Sequence, residues 1–245
     1  MKTIAITNQK GGTAKTTTTA ALGVLLSRRG IPVHLIDMDP QADLTAAFGV
    51  DGSESRLFDC LDSQTKLELV NVADCLTISP SNLHLLRAET EFLSRTSREF
   101  VLRSAIANTQ LSEDTIVLVD CPPSLGVLSV ASLVAADGLC VVVQPGGFEL
   151  QTLVHLAQTA DLLRQYVNPG LQTIGAIITN SHRRRSITQQ VENELAKQYS
   201  VLGTIRADAR IVYATTAGRI HQLRTSTAME DYETAVDGIL QWAAA

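Results

Sequence analysis

Between the first apolar run and the first helical run stand Gln9-Lys10-Gly11-Gly12-Thr13-Ala14-Lys15-Thr16-Thr17, residue types suited to holding a polyphosphate. Glycines let a backbone curl until successive N–H groups point inward as an anion nest. A helix starting at that point adds its positive N-terminal end. Lys15 has the reach for β- and γ-phosphate oxygens, and the Thr16 hydroxyl suits Mg²⁺. The strict pattern G-x-x-x-x-G-K-[ST] is broken twice, by Gln9 and by Ala14.

Three aspartates offer complementary chemistry. Asp37 and Asp39 stand two apart at the end of an apolar run, and Asp120 ends another. Residues two apart on a strand share a face, so one can act while the other holds the loop. Capping and turn chemistry around Pro40 is the competing use of this pair. A loose phosphoryl-transfer transition state needs charge neutralisation and positioning more than a strong base. The cysteines, Cys60, Cys75, Cys121 and Cys140, form no C-x-x-C pair, and the five histidines form no H-x-x-x-H pair. They read as thiols of a reducing cytosol and as structural or surface imidazoles.

The elements that must position these residues follow from periodicity. Residues 2–8 read as a short strand, 15–29 as a helix ended by Gly30, and 33–37 as a second apolar strand. Strand, loop, helix and strand in that order make a βαβ unit and imply a parallel sheet. Residues 116–120, 139–144 and 173–179 read as further buried strands. Residues 127–136, 150–166, 187–199 and 229–242 read as helices. Residues 51–114 are the least regular and are expected to hold insertions at strand ends. The expectation is one doubly wound α/β domain over residues 1–245, with a mostly parallel sheet and helices on both faces. No helix-turn-helix domain is expected before it, so operator-specific repression is not expected.

Charge narrows the partners. The net charge is −5, yet residues 183–224 hold eight Lys/Arg against three Asp/Glu, a local +5. A basic segment on an acidic chain is an electrostatic footprint for phosphates. Aromatic residues make up only 4%, which argues against stacking platforms for single-stranded bases. The longest apolar run, 125–143, is broken by Asp137 and Gly138 and reads as a helix plus a strand rather than a membrane span.

Taken together, K-G-G-T-A-K-T-T at 10–17, D-M-D-P-Q at 37–41 and D-C-P-P-S at 120–124 resemble the deviant Walker A loop, the D-x-D-P-Q segment and the D-x-P-P Walker B segment of the ParA/MinD family of P-loop ATPases. The resemblance runs over nearly the whole chain, with Val134–Asp137 and Gln144-Pro145 at the matching places. It implies ATP and Mg²⁺ as cofactors and the following roles. Lys10 is the signature lysine that crosses a dimer interface to the partner's nucleotide. Lys15 is the loop lysine, Thr16 the magnesium ligand, and Asp39 the carboxylate that orients the attacking water. Asp120 holds Mg²⁺ through water. Asn180 falls where the family places a residue against adenine. Arg206-Ala207-Asp208 stands where P-R-N is usual, which puts those contacts in doubt; Asp208 can still accept from the adenine amino group, or serve only a surface turn. Arg184 and Arg210 fall at positions of DNA-contacting arginines, and Arg183, Arg185, Arg206 and Arg219 extend that candidate surface. A solvated charged face is the alternative.

The implied function is an ATP-dependent, dimerising partition ATPase, cytoplasmic and nucleoid-associated. It binds double-stranded DNA without sequence preference and works with a ParB-like adaptor. A related ATPase that spaces another cargo, such as a carboxysome or a protein cluster, is the first alternative. A membrane-cycling MinD-like regulator needs a basic amphipathic C-terminal helix. Residues 225–245 instead carry Glu230, Asp231, Glu233 and Asp237 and no Lys or Arg, so no membrane partner is expected. A nitrogenase-reductase-like protein would need paired cluster cysteines, and an amide-forming synthetase a substrate constellation that is not evident.

Overall fold

The computed structural model describes residues 1–145, 149–181, 192–193 and 195–245, with the side chains of all but 149–152. Of the expected helix over 187–199, residues 187–191 and 194 lie outside the described residues, as do Arg183, Arg184 and Arg185.

The strands are β1 (Lys2–Thr7), β2 (Val33–Asp37), β3 (Val70–Ala73), β4 (Leu76–Ser79), β5 (Ile116–Asp120), β6 (Gly138–Val143), β7 (Gln172–Ser181) and β8 (Val201–Arg206). The helices are α1 (Lys15–Arg28), α2 (Asp43–Ala47), α3 (Leu57–Ser63), α4 (Ala88–Glu91), α5 (Val101–Asn108), α6 (Val127–Ala135), α7 (Glu149–Tyr166), α8 (Ala209–Thr216) and α9 (Thr227–Ala243). The described strands form one sheet in the order β3-β4-β2-β5-β1-β6-β7-β8. Every pairing is parallel except that of β3 with β4. Strands in such a sheet are covered on both faces, which explains why IVLVD at 116–120 is apolar throughout and buried along its length.

The core lies in two layers. On one face Leu22, Leu26, Tyr232 and Ile239 of α1 and α9 pack with Ile4, Ile6 and Leu118 of the sheet. On the other, Phe58, Phe92, Leu102 and Leu128 pack with Ala5, Val117 and Val141. Successive residues of β1 and β5 therefore serve opposite layers, as the period of two requires.

Residues 51–114 differ from expectation. Rather than insertions at strand ends, they supply β3 and β4, which extend the sheet beyond β2 in register from Val33↔Leu76 to Ile36↔Ser79. His34 is fully buried at this seam. Its ring nitrogens meet Thr77 Oγ1 and Ser79 Oγ, each at 2.9 Å. Burial pushes its pKa down to about 3, so it is a neutral strand tie.

The registers Ile6↔Asp120 and Asp37↔Asp120 bring the C-terminal ends of β1, β5 and β2 level with one another. The glycine loop, the Asp37–Asp39 turn and the segment after Asp120 consequently leave the sheet at one edge. That is where ligands bind in open parallel sheets.

Candidate functional site

The loop after β1 is built by backbone geometry that the sequence only partly advertises. Gly12 sits at φ 75° and Ala14 at φ 66°, both left-handed. Ala14 replaces the glycine of the strict pattern and is the N-cap of α1. A non-glycine residue in that region costs on the order of 1 kcal/mol, the kind of strain found at ligand sites. Asn8 starts the curl, donating from Nδ2 to the Val142 carbonyl at 2.6 Å and accepting from the Lys10 N–H at 3.0 Å. Thr179, at the end of β7, donates to the Thr13 carbonyl at 2.8 Å and holds the loop's far side. Within the curl, Lys15 donates to the Lys10 carbonyl at 3.3 Å. The first turn of α1 carries no acidic side chain, so its N–H groups are left to an anion.

The three aspartates divide their work. Asp37 is fully buried and accepts from the Thr45 N–H at 2.8 Å, the Thr45 hydroxyl at 2.6 Å and the Asp39 N–H at 3.2 Å. Burial pushes it up to about 7, against these hydrogen bonds. It shapes the turn and anchors α2. Asp39 lines the cleft, with Oδ1 accepting from the Gln41 N–H at 2.9 Å. Asp120 is 1% exposed beneath the loop; Oδ1 accepts from the Thr19 hydroxyl at 3.2 Å, and buried Oδ2 has no hydrogen-bond partner. Burial pushes Asp120 up to about 8, Asp37 adds to the rise, and the Thr16 hydroxyl and Lys15 oppose it. Burial lowers the Lys15 pKa, and Asp120, Cys121 and Asp39 pull it back.

A buried carboxylate oxygen without a donor, beside a threonine hydroxyl and a half-desolvated ammonium, fits a hard divalent cation. Among the described residues no group of three or more His, Cys, Asp or Glu could hold a metal alone. A cation here would take its remaining ligands from water and phosphate oxygens, the usual habit of Mg²⁺.

A cavity of about 500 Å³ connects these parts. It is lined by residues 11–17 and Asp39, and also by residues 205–208, Ile211 and Tyr232. Thus Gly11, Gly12, Thr13, Ala14, Lys15, Thr16, Thr17, Asp39, Asn180, Arg206 and Asp208 share one cleft. Lys10 stands exposed at its rim. Asn180 is exposed with φ 52°. Asp208 caps α8 through the Arg210 N–H at 2.9 Å and also accepts from the Ala228 N–H at 3.2 Å. Arg206, expected both at the nucleotide and on DNA, lines the cleft and is paired with Asp231. Arg210 and Arg219 are exposed, one in the first turn of α8 and one beyond its end.

Sequence reasoning missed Asn8, Thr19, Thr179, Asp231 and Tyr232. The Tyr232 hydroxyl meets Thr18 Oγ1 at 2.8 Å beneath the cleft. The run T-T-T-T at 16–19 held a signal for Thr19, whose hydroxyl lies one turn past Lys15 on the same face. Thr179 and Asp231 belong to elements far along the chain and carry no local signal.

Known proteins share this architecture. A family model described as an AAA domain matches residues 1–173. The sporulation initiation inhibitor protein Soj of Bacillus subtilis is 34% identical over 203 residues, covering 81% of this chain and 80% of that protein. The chromosome partitioning protein ParA of Caulobacter vibrioides is 35% identical over 209 residues, covering 81% of this chain and 77% of that protein. The crystal structure of a cobyrinic acid a,c-diamide synthase from Mycobacterium smegmatis, with a bound ATP analogue and magnesium, superposes with a TM-score of 0.85 at 30% identity, over 100% of this chain and 96% of that one. With its glycine loop, its Asp120 and these likenesses, the chain belongs to the ParA/Soj family of P-loop ATPases.

Proposed function

We propose that the cleft binds ATP with Mg²⁺ and that hydrolysis there governs a homodimer that attaches to DNA and partitions a plasmid or chromosome. The observation that carries the reading is the partnerless Oδ2 of Asp120, buried beneath an anion nest. ATP supplies the phosphoryl group, and Mg²⁺ spreads and neutralises its charge. Thr16 and Asp120 would hold the cation, Asp120 through water. The N–H groups of residues 11–17 and the Lys15 ammonium would cradle the phosphates. Asp39, free of the structural duties that occupy Asp37, would orient the attacking water. Lys10, exposed at the rim, would reach the nucleotide of a second copy.

Arg210 and Arg219 are exposed cations suited to phosphate contacts without base readout. They support non-specific binding to double-stranded DNA together with Arg183, Arg184 and Arg185. A ParB-like adaptor would stimulate hydrolysis. Among the described residues no helix is long and apolar enough to cross a membrane. We place the protein in the cytoplasm, on the nucleoid, as one ATPase domain over residues 1–245.

Lys15→Ala removes the buried phosphate cation and is expected to abolish nucleotide binding in a calorimetric titration. Near-normal affinity in that variant would overturn the assignment of the loop. A second reading, ATP-driven amide formation, draws on the name of the Mycobacterium smegmatis structure. Turnover raised by duplex DNA supports partition; turnover that needs a carboxylic acid and an amine donor supports the synthetase.

A further inference from the structure

An arginine of the cleft wall, Arg206, is fixed by three hydrogen bonds to one carboxylate. Asp231 of α9 accepts from Arg206 three times: from the backbone N–H at 2.9 Å, from Nε at 2.7 Å and from Nη2 at 2.6 Å. Two parallel bonds from the guanidinium fork to one carboxylate hold the two groups in a common plane. Arg206 lines the cavity together with Ile205, Ile211, Val212 and Ala228. An aliphatic chamber with one locked, flat cation is built for an aromatic ring. Guanidinium planes stack on such rings, and a plane fixed in advance loses little freedom on doing so. Asp208, in contrast, gives its two carboxylate oxygens to backbone N–H groups and closes the chamber wall.

We propose that Arg206 is the stacking platform for the base of the bound nucleotide, and that Asp231 is a positioning residue that sets its plane. The proposal rests on the nucleotide reading above and adds how the base is held. Because Asp231 offsets the charge of Arg206, the platform acts through its face and not as a monopole on the phosphates. The same offset sets Arg206 apart from the exposed Arg210 and Arg219 as a contact for DNA. The base is thereby coupled to the C-terminal helix, since Asp231 precedes Tyr232, which lies under the same chamber.

The test compares two ligands in the presence of Mg²⁺: the non-hydrolysable adenylyl imidodiphosphate, and inorganic tripolyphosphate, which has the phosphates and no base. For Arg206→Ala, calorimetry is expected to show about tenfold weaker binding of the nucleotide, with tripolyphosphate changed by less than about twofold. Asp231→Asn, which frees the guanidinium, should give a smaller loss with the same selectivity. Arg206→Lys keeps the charge without the flat fork and should not restore affinity; it and Asp231→Asn carry the test if the alanine variant does not fold. Unchanged nucleotide affinity would overturn the proposal. Equal losses for both ligands would overturn it too, because Arg206 would then act through charge. A wild-type protein that binds neither ligand would instead overturn the nucleotide reading itself.

Discussion

Asp37 and Asp39 differ by two positions and by everything around them. Spacing alone put both on one face and left their roles open. Thr45, eight residues beyond Asp37, decides the matter by giving Asp37 two donors and tying it into α2. Asp39 is left at the cleft beside the lysine loop. Asp39→Ala should therefore keep nucleotide binding and lose water positioning, so that ATP accumulates a dimer that does not turn over. On the proposed reading Lys10 acts across the dimer interface, so Lys10→Ala should bind nucleotide and fail to dimerise. Light scattering with ATP and Mg²⁺ separates the two, and an Asp39→Ala protein that binds ATP yet stays monomeric would refute its assigned role. The loop itself was legible in the sequence because glycine, lysine and threonine each do one thing at a fixed offset. The left-handed Ala14 was not, since alanine carries no mark of the conformation that its neighbours impose.

Elements long enough to show a period were legible, and short ones were not. The strands β1, β2 and β5 and the helices α1, α7 and α9 lie within two residues of their expected bounds, the usual uncertainty of element ends. β3 and β4 have four residues each, and α8 only eight, too few for a period to stand out. β8, at the sheet edge, is only half-buried along its length, so its apolar signal is diluted by Gly203, Thr204 and Arg206. Two ties between elements set measurable stabilities. His34, neutral between β2 and β4, has a folded pKa of about 3 against an ordinary value of 6.5. In this interval the unfolded chain holds the extra proton. The contribution of His34 to stability is thus complete above pH 6.5 and falls by roughly 1.4 kcal/mol per pH unit below about pH 6. Asp37 and Asp120, raised to about 7 and 8, act in the opposite sense, so the His34 share is read as a difference: the stability gap between wild type and His34→Gln in urea, followed from pH 7 to 4.5, should change with this slope. Asn168, 6% exposed, donates from Nδ2 to the carbonyls of Leu133, Val134 and Ala136 at 3.2, 3.2 and 2.8 Å, and so satisfies the end of α6. Asn168→Ala removes the side-chain donor from the Leu133 and Ala136 carbonyls, while that of Val134 keeps Arg103, and should cost about 2 kcal/mol, read as a lower denaturation midpoint with unchanged slope.

On the whole molecule, the question is how a chain of net charge −5 would hold DNA as proposed. The described arginines of the basic segment that suggested an answer differ in their surroundings. Arg206 is committed to Asp231 within the cleft, whereas Arg210 and Arg219 stand exposed at either end of α8. Among the described residues of that segment, one copy therefore offers few exposed cations for phosphate, and its net negative charge opposes them. A second copy doubles the contacts, so affinity for a duplex should climb steeply when ATP joins two chains. Counterion release then makes the contacts countable, at about 0.9 in the slope of log K against log salt for each phosphate neutralised. Arg210→Ala in the dimer removes one contact per copy and should lower that slope by roughly 1.8 on any duplex sequence. Arg206→Ala should leave the slope in place once nucleotide is saturating, because its charge is already offset. If instead Arg206→Ala lowers the slope and Arg210→Ala does not, the surface that meets DNA includes the mouth of the nucleotide cleft, and DNA and nucleotide would then compete for one site.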